Sequence, residues 1–319
     1  MNGHWLSSDA VAQVELSFAE YREIVLDTWR EYAMQGSAYS PPKVGLRDRL
    51  GQVFFAMPGK GPSSGAVGLK WIGTRDSKRV GTAKSADGLV VLSYFDKPGV
   101  VWVIAADHLT QLRTGAMACC ALSLVGRTPL GELLVIGTGG VARAVVDCVV
   151  ATMADVEKIW VCGRTEVGAR EFCEAHFPNV ARVGPISGFS VLERGVGGVV
   201  TATSSEVSVI RTPWVHPGCT VVVLDGPGKE MGVLSRCDRI LVDDAALLDT
   251  PEGCRRFGGP VPEVAGSLGA VVTGSIVGRR HDTETVGVVA FGMGASDVAV
   301  AERLVARASA RGLGGNFRL

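Results

Sequence analysis

The distribution of apolar and polar residues divides the chain into two regions with different patterns. In the first region, apolar residues at helical spacing predict one amphipathic helix over residues 9–35, begun by Ser8 and ended by Gly36. The prolines of YSPPKVGLRD predict an extended segment. The runs QVFFAMPG, AVGLKWIG and GLVVLSYFDKPGVVWVIA predict strands, the first ending in a turn and the last forming a hairpin at DKPG. A helix from about Asp107 follows, so this region is predicted to be α+β with antiparallel strands.

The pattern changes near residue 130, where strands begin to alternate with helices. Six apolar runs predict strands: GELLVIG, KIWVCG, VGGVVTAT, CTVVVLD, RILVDD and TVGVVA. GGVARAVVDCVVATMA and EVGAREFCEAHF read as helices between them, and SDVAVAERLVARASARG predicts a helix near the end. Strands that alternate with helices indicate a parallel sheet with helices on both faces. The predicted fold class is therefore α/β, with a second, α+β domain.

Charge and composition narrow the class of protein. Lysine plus arginine and aspartate plus glutamate each number 32, so the formal net charge is zero, which argues against a general nucleic-acid or anionic-membrane binder. No uncharged stretch is long enough to cross a bilayer. The first 15 residues lack the basic and apolar regions of a signal peptide. The sequence therefore predicts a cytoplasmic protein without a membrane or nucleic-acid partner.

The cysteines and histidines predict neither a disulfide framework nor a metal site. None of the eight cysteines forms a C-x-x-C pair, and several lie inside apolar runs, as small buried residues do. The five histidines show no H-x-x-x-H or H-E-x-x-H spacing. We expect no bound metal and a reducing compartment.

A glycine-rich turn carries the clearest chemistry. In LLVIGTGGVARAVV, Gly137, Gly139 and Ala142 form G-x-G-x-x-A between a predicted strand and a predicted helix. The first glycine permits the tight turn, the second admits a pyrophosphate to the helix N-terminus, and the alanine allows close packing of helix and strand. The motif predicts a Rossmann-type dinucleotide-binding domain, the alternative being a plain turn.

The end of the second Rossmann strand is the usual place where the cofactor is selected. NAD enzymes carry an acidic residue there, whereas this chain has Arg164 and Thr165 in VCGRT. Both can bind a 2′-phosphate, which favours NADP over NAD. An exposed arginine followed by a helix-capping threonine is the alternative, and it leaves NAD open.

Four further charged groups are candidates for substrate chemistry. Lys70 lies in an otherwise apolar strand, Arg113 precedes an apolar run of a helix, and Lys43 follows two prolines. A cation among apolar residues often requires a carboxylate partner, although salt bridges within the protein are an equal alternative. Asp225 follows a predicted parallel strand, at the sheet edge where ligands bind, and could equally be a turn former.

Seven segments, in order along the chain, together resemble the ornithine cyclodeaminase/mu-crystallin family. They are AMPG, GLKWIG, LTQLRTGA, VIGTGGVARA, VTATSS, DGPGK and GMGASDVAVA. The resemblance implies a substrate-binding and dimerisation domain over 1–128, joined by 292–319, and a Rossmann domain over 129–291. It implies a homodimer that acts on a small amino acid or imino acid with a nicotinamide cofactor.

The resemblance also implies roles for individual residues. Lys70 and Arg113 fall on the family's substrate-carboxylate cations. Asp225 falls on its catalytic aspartate, and Lys70 is implied as a second catalytic residue. Lys43 stands where many members have arginine, so Arg47 is expected to share the substrate contact. Cofactor contacts are implied at Thr114, Gly137, Gly139, Gly140, Val141, Arg164, Thr165, Thr201, Ala202, Thr203 and Gly292.

One branch of the family is more similar than the others. PPKVGLRD, GLKWIGTRDSKR, VTGSIVGR, GMGASD and GGNFRL resemble the branch that forms 2,3-diaminopropionate. That branch oxidises N-(1-amino-1-carboxy-2-ethyl)-glutamate and hydrolyses the imine to 2,3-diaminopropionate and 2-oxoglutarate. Ornithine or lysine cyclodeamination and ketimine reduction remain alternatives. A mu-crystallin-like ligand-binding protein without catalysis is the non-enzyme alternative.

Overall fold

The computed structural model describes residues 2–14, 16–49, 52–62, 65–74, 86–188 and 192–318. The chain divides into two compact units. The first unit comprises Met1–Arg113 and Gly292–Leu319, and the second comprises Thr114–Phe291. The division lies inside a long helix, Asp107–Val125, whereas the sequence pattern places it after residue 128.

In the first unit, the described residues form eight strands and helices before the division and two elements after it. In chain order, the elements before the division are β1 (Asn2–Leu6), α1 (Ser8–Gln13), α2 (Phe18–Ala33), β2 (Val44–Arg47), β3 (Val53–Lys60), β4 (Ala66–Thr74), β5 (Ala86–Tyr94) and β6 (Val100–Ala105). The division lies within α3 (Asp107–Val125), and the chain returns to the first unit with α9 (Gly294–Ala310) and β15 (Gly315–Arg318).

The strands of the first unit form one seven-stranded sheet in the order β15-β1-β6-β5-β4-β3-β2. All neighbours pair antiparallel except β1 and β6, which are parallel. The predicted hairpin is confirmed as β5 and β6. The predicted strand QVFFAMPG is confirmed as β3, which continues one residue beyond AMPG to Lys60 before the chain returns to pair Val67 of β4 with Lys60.

The prediction of a single helix over residues 9–35 is wrong, since two helices occupy this segment. Ser7 caps α1, and Ser17 caps α2 in a capping box with Glu20. The box supplies a start signal in the middle of a continuous helical pattern, so periodicity alone could not reveal the break. Helix α2 ends at Ala33, before Gly36.

Small residues allow α9 to pack directly on the sheet of the first unit. A Cβ at Gly59 of β3 would lie 2.3 Å from the backbone nitrogen of Ala295, and one at Gly294 would lie 2.2 Å from the carbonyl oxygen of Pro58. Because neither position has a side chain, the first turn of α9 touches the backbone of β3. A larger residue at either position would push the helix from the sheet.

The second unit is the predicted alternation of strands and helices. After the rest of α3, its elements are β7 (Gly131–Ile136), α4 (Gly140–Thr152), β8 (Val156–Cys162), α5 (Glu166–His176), β9 (Val183–Pro185), β10 (Gly198–Thr201), β11 (Thr220–Val223), α6 (Met231–Leu234), β12 (Arg239–Val242), α7 (Pro251–Phe257), β13 (Gly266–Ser267), α8 (Leu268–Val272) and β14 (Val286–Val289).

The sheet of the second unit has the order β13-β12-β14-β11-β10-β7-β8-β9, and every pair is parallel. β7 lies between β8 and β10: the chain runs from β7 through β8 and β9 on one side and then crosses to β10 on the other side. Ligands of open parallel sheets bind at the carboxyl ends of strands at such a switch point. The predicted α/β class is confirmed, and the topology directs attention to the loops after β7, β8, β10 and β11.

Candidate functional site

The loop after β7 has the geometry of a dinucleotide-binding turn. Gly137 has φ +135°, and a Cβ there would lie 2.3 Å from the carbonyl oxygen of Ala202. Glycine is therefore required for this close passage of two loops. Gly139 precedes the first residue of α4, and no described atom outside its neighbours lies within 4 Å of a Cβ built on it. Any side chain at Gly139 would occupy that open space.

The residues at the start of α4 fit the pyrophosphate of a nicotinamide dinucleotide. Gly139 is the N-cap, and no side chain caps the helix. The N–H groups of the first turn, to which Gly140 and Val141 belong, therefore have no helical acceptor and attract an anion together with the helix dipole. Ala142 is fully buried and lies 3.4 Å from the Cβ position of Gly137, as close packing of strand and helix requires.

The end of β8 presents the predicted cofactor-selecting residues. Arg164 is exposed and makes no ion pair with any described residue. Thr165 caps α5, where its hydroxyl oxygen accepts the Gly168 N–H at 3.1 Å, so its O–H is still able to donate. Glu166 is paired with Arg170 at 3.1 Å. This arrangement agrees with the predicted contact to a 2′-phosphate. It agrees equally with the alternative of an exposed arginine followed by a helix-capping threonine.

Asp225 lies just beyond the end of β11, and four donors meet its carboxylate. One oxygen accepts the Thr201 hydroxyl at 2.8 Å; the other accepts the Thr203 hydroxyl at 2.8 Å, the Thr203 N–H at 3.0 Å and Lys229 Nζ at 2.8 Å. The side chains of Asp225 and Lys229 are only 9% and 6% exposed. The carboxylate is therefore fixed in one orientation rather than free on a turn.

The network gives Thr201 and Thr203 a different role from the cofactor contacts that the resemblance implies. Their hydroxyl groups bond Asp225 in this structure. Lys229 donates to Thr203, to the carbonyl of Ser205 and to Asp225. The only sequence signal for Lys229 is its place as the last residue of the segment DGPGK.

A buried glutamate anchors the next part of the loop. Glu230 is fully buried and accepts the Ser208 hydroxyl and the N–H groups of Val209 and Ile210. Glu230 was not among the candidate residues predicted from the sequence. Its carboxylate in fact ties the loop after β10 to the loop after β11, and so supports the Asp225 network.

In the first unit, Lys70 and Arg113 converge on one carboxylate. Lys70 Nζ lies 2.8 Å from one oxygen of Asp297, and Arg113 Nε lies 2.8 Å from the other. All three side chains are at least nine-tenths buried. Gly292, with φ +80°, places its backbone against the guanidinium, because a Cβ there would lie 3.3 Å from Arg113 Nη1 and Nη2. Thr114 is the next residue of α3.

The charges of this cluster do not cancel. Two cations and one anion leave one buried positive charge when Lys70 is protonated. The pKa of Lys70 is lowered to about 8. Burial is the main cause, the charge of Arg113 acts in the same direction, and Asp297 opposes both effects. A buried charge without a counterion is costly, so the cluster is suited to an anionic ligand.

Asp297 is the site residue that sequence reasoning missed. It lies in the first turn of α9, where its negative charge complements the helix dipole. The signal was present as a single acid within the apolar run FGMGASDVAVA. The alternative of salt bridges within the protein is confirmed for Lys70 and Arg113, although one positive charge remains when Lys70 is protonated.

Lys43 and Arg47 lie on the same face of the sheet as Lys70. Lys43 Nζ is 5.0 Å and Arg47 Cζ is 5.6 Å from the centre of the Phe55 ring. Gly45 pairs with Phe55, so the two cations lie on either side of the ring along β2. Continuing that register places Lys43 beside Met57, which pairs with Lys70. Two strand spacings then separate the lysines, roughly 10 Å.

Two further findings concern the wider chemistry. Within the described residues, no group of three or more histidine, cysteine, aspartate or glutamate side chains could hold a metal ion. Among those same residues, no helix has both the length and the apolar character that a bilayer span requires. Residues 75–79 of the segment GLKWIGTRDSKR lie outside the described residues.

Comparison with known proteins identifies the family. The profile of the Ornithine cyclodeaminase/mu-crystallin family matches residues 5–312. The nodulation efficiency protein NfeD of Rhizobium meliloti is 29% identical over 97% of both chains. A Delta(1)-pyrroline-2-carboxylate reductase of Bacillus cereus is 26% identical over 81% of this chain and 82% of its own. The N-((2S)-2-amino-2-carboxyethyl)-L-glutamate dehydrogenase of Staphylococcus aureus is 21% identical over 86% and 83%.

Solved structures have the same fold. An archaeal alanine dehydrogenase dimer with bound NAD superposes with a TM-score of 0.87 at 24% identity, over the full length of both chains. The Delta(1)-pyrroline-2-carboxylate reductase of Thermococcus litoralis gives a TM-score of 0.85 at 18% identity, over 98% of this chain and all of the other.

The chain belongs to the ornithine cyclodeaminase/mu-crystallin family, as the ordered sequence segments predicted. With its parallel sheet, its glycine turn and the uncapped start of α4, it is an NAD(P)-dependent oxidoreductase of that family.

Proposed function

We propose that the protein oxidises or reduces the Cα–N bond of a small amino acid or imino acid. The observation that carries this proposal is the buried cluster of Lys70, Arg113 and Asp297, whose remaining positive charge calls for one carboxylate. An α-carboxylate held there fixes the adjacent carbon, and such orientation can contribute several kcal/mol to a rate.

Different groups of residues have distinct parts in the proposed chemistry. Gly137 to Val141 would hold the pyrophosphate, and the bound nicotinamide would accept or donate the hydride exchanged at Cα. Lys70 and Arg113 bind the substrate carboxylate. Asp225 acts on the nitrogen side of the bond: it orients the amine, accepts its proton or activates water that hydrolyses the imine.

As the particular substrate we propose N-(1-amino-1-carboxy-2-ethyl)-glutamate. Oxidation at the glutamate Cα–N bond gives an imine, and addition of water then gives 2-oxoglutarate and 2,3-diaminopropionate. The ordered segments favour this branch, and so does the distribution of charge. The substrate carries a carboxylate on its carboxyethyl group besides the two of glutamate, and Lys43 and Arg47 share the sheet face of Lys70.

A second candidate is reduction of a cyclic imine such as Δ1-pyrroline-2-carboxylate. Its support is that the reductases of this name are 26% identical to the chain, against 21% for the glutamate-conjugate dehydrogenase. This substrate has one carboxylate, for which Lys70 and Arg113 suffice.

A substrate panel separates these candidates. The purified protein is mixed with oxidised cofactor and N-(1-amino-1-carboxy-2-ethyl)-glutamate, ornithine, lysine or alanine, and with reduced cofactor and Δ1-pyrroline-2-carboxylate. Reduced nicotinamide is followed by absorbance, and products by mass spectrometry. We expect 2-oxoglutarate and 2,3-diaminopropionate from the glutamate conjugate. Cofactor binding without turnover of any compound would support the ligand-binding alternative.

A charge variant makes the panel sharper. Lys43→Met should weaken binding of the glutamate conjugate by about 10-fold, as expected for one lost charge-assisted contact. Binding of pyrroline-2-carboxylate should be unaffected. Lys60→Met is the matched control, because Lys60 lies on the same sheet and bonds the carbonyl of Ser37. An equal effect of Lys43→Met on both substrates would contradict the assignment of Lys43 to a further carboxylate.

We expect the cofactor to be NADP rather than NAD, so NADPH should bind more tightly than NADH in titrations at matched ionic strength. Arg164 is exposed after β8, where a carboxylate would repel the 2′-phosphate, and the O–H of Thr165 can donate to it. Arg164→Ala should reduce the NADPH advantage by about 1–3 kcal/mol, the scale of hydrogen bonds to charged groups.

The control for this measurement is Arg255→Ala, since Arg255 is also an exposed arginine of the second unit and pairs with Glu252. It should leave the ratio of the two affinities unchanged. NADH binding as tightly as NADPH in the unmutated protein would mean that Arg164 does not meet the nucleotide.

We further propose a cytoplasmic homodimer formed through the first unit. Helices cover one face of its sheet, whereas Trp71, Leu89, Val91 and Val103 on the opposite face are only partly buried. A second copy would cover this apolar face. Val91→Asp should therefore convert a dimer into a monomer in light scattering. Val207→Asp, at an exposed valine of the second unit, should change nothing; a dimer that survives Val91→Asp would argue against this face.

A further inference from the structure

Asp297 meets Arg113 through one particular nitrogen. Its carboxylate accepts from Nε, and within the described residues Arg113 has no other hydrogen bond. The fork of Nη1 and Nη2 is therefore presented as a pair of donors, which is the geometry that binds a carboxylate with both oxygens. The backbone of Gly292 supports that end of the guanidinium.

Asp297 also sets the position and the charge of Lys70. Its second oxygen lies 2.8 Å from Nζ, so a single side chain spaces the two cations. The neighbours of Lys70 across the sheet, Met57 and Val90, carry no charge. Asp297 from α9 and Arg113 from α3 are therefore the charged groups that face it among the described residues, and Asp297 alone favours its protonated form.

The placement of Asp297 is built into the packing of α9. The direct contact between the first turn of α9 and β3, at Gly59 and Gly294, brings residue 297 to the level of Lys70. Ser40 accepts the Gly294 N–H at 3.1 Å and further fixes this turn. The carboxylate is thus held by backbone contacts rather than by a flexible loop.

We propose that Asp297 is a positioning residue that shapes Lys70 and Arg113 into a receptor for one carboxylate, an inference that rests on the proposed function. Positioning by Asp297 and its charge have opposite effects on the affinity of the cluster for an anion. If charge alone mattered, removing this anion at a pH where Lys70 stays protonated would make the cluster more positive and would tighten anion binding. If position matters, the same change weakens binding, because the fork of Arg113 and the ammonium of Lys70 lose their common anchor.

The test is Asp297→Asn in the full-length protein, with [13C]acetate as the probe, and NMR titration as the readout. Below the alkaline limb of both proteins, where Lys70 is protonated, we expect acetate affinity to fall by about 10-fold or more, the scale for breaking a buried charge pair. We also expect the alkaline limb of acetate binding to move to lower pH, because Lys70 loses the group that opposes the lowering of its pKa. Unchanged or tighter acetate binding, or an unmoved limb, would overturn the proposal.

A second pair of variants covers the case in which Asp297→Asn does not fold. Lys70→Met and Lys70→Met/Asp297→Asn differ only at position 297 and lack the buried ammonium. The double variant should bind acetate more weakly than the single one, although its cluster is more positive; equal or tighter binding contradicts positioning. Arg113→Ala distinguishes the two levels of failure. If Arg113→Ala leaves acetate binding unchanged, the proposed function fails. If Arg113→Ala weakens acetate binding but the Asp297 variants do not, only the positioning role fails.

Discussion

Asp225→Asn is expected to reduce turnover by about 100-fold or more while cofactor affinity stays nearly unchanged. Effects of this size are typical when a group that handles a proton in the transition state is lost. Asparagine has almost the same shape but cannot accept the proton, and its amide would face Lys229 Nζ where a carboxylate oxygen now lies. The measurement is kcat with the substrate found by the panel, beside a titration of the reduced cofactor.

The control is Asp243→Asn. Asp243 is also a buried carboxylate at the carboxyl end of a strand of the same sheet, where it accepts the Phe291 N–H. Its replacement should affect stability more than turnover. Near wild-type turnover in a folded Asp225→Asn protein would remove Asp225 from the mechanism and leave it as a support for the loops after β10 and β11.

Arg113→Ala and Lys70→Ala are each expected to weaken the binding of every carboxylate substrate by about 2 kcal/mol or more, which is about 30-fold in affinity. Both substitutions remove a charge-assisted contact, and Arg113→Ala also removes the bidentate fork. Since the substrate shares this contact in the ground state and in the transition state, KM should carry much of the change. Steady-state kinetics and acetate binding measure it.

Arg113→Lys separates charge from geometry. It keeps the positive charge but not the fork, so it should recover only part of the lost affinity. Unchanged KM and kcat in folded Arg113→Ala and Lys70→Ala proteins would assign the two cations to structure alone, as counterions of Asp297.

The sequence predicted the second unit well because each of its signals is local. A strand, a G-x-G-x-x-A turn and a helix follow one another within LLVIGTGGVARAVV, and the structure shows them at β7 and α4. Lys70 and Arg113 could be singled out because a cation in an apolar run is unusual.

The features that were missed depend on contacts between distant parts of the chain. Asp297 meets Arg113 across 184 positions, and no periodicity links them. The bonds from Thr201 and Thr203 to Asp225 likewise connect two separate strands. The break between α1 and α2 depends on a capping box that competes with an uninterrupted apolar pattern. The first two interactions have no counterpart in the spacing of residues, whereas the capping box of Ser17 and Glu20 is local and can be recognised in the sequence.

β1 and β15 are neighbouring strands, since Asn2 of β1 pairs with Arg318 of β15, and the His4 ring bonds the side chain of Asn316 at 2.7 Å. During synthesis the ribosome therefore delivers β1 long before its partner β15. The second unit, whose residues are contiguous, can fold as soon as it has emerged. The first unit must wait with one edge of its sheet unpaired and without α9. A polypeptide that stops short of residue 297 would consequently contain the dinucleotide turn but could not complete its anion receptor.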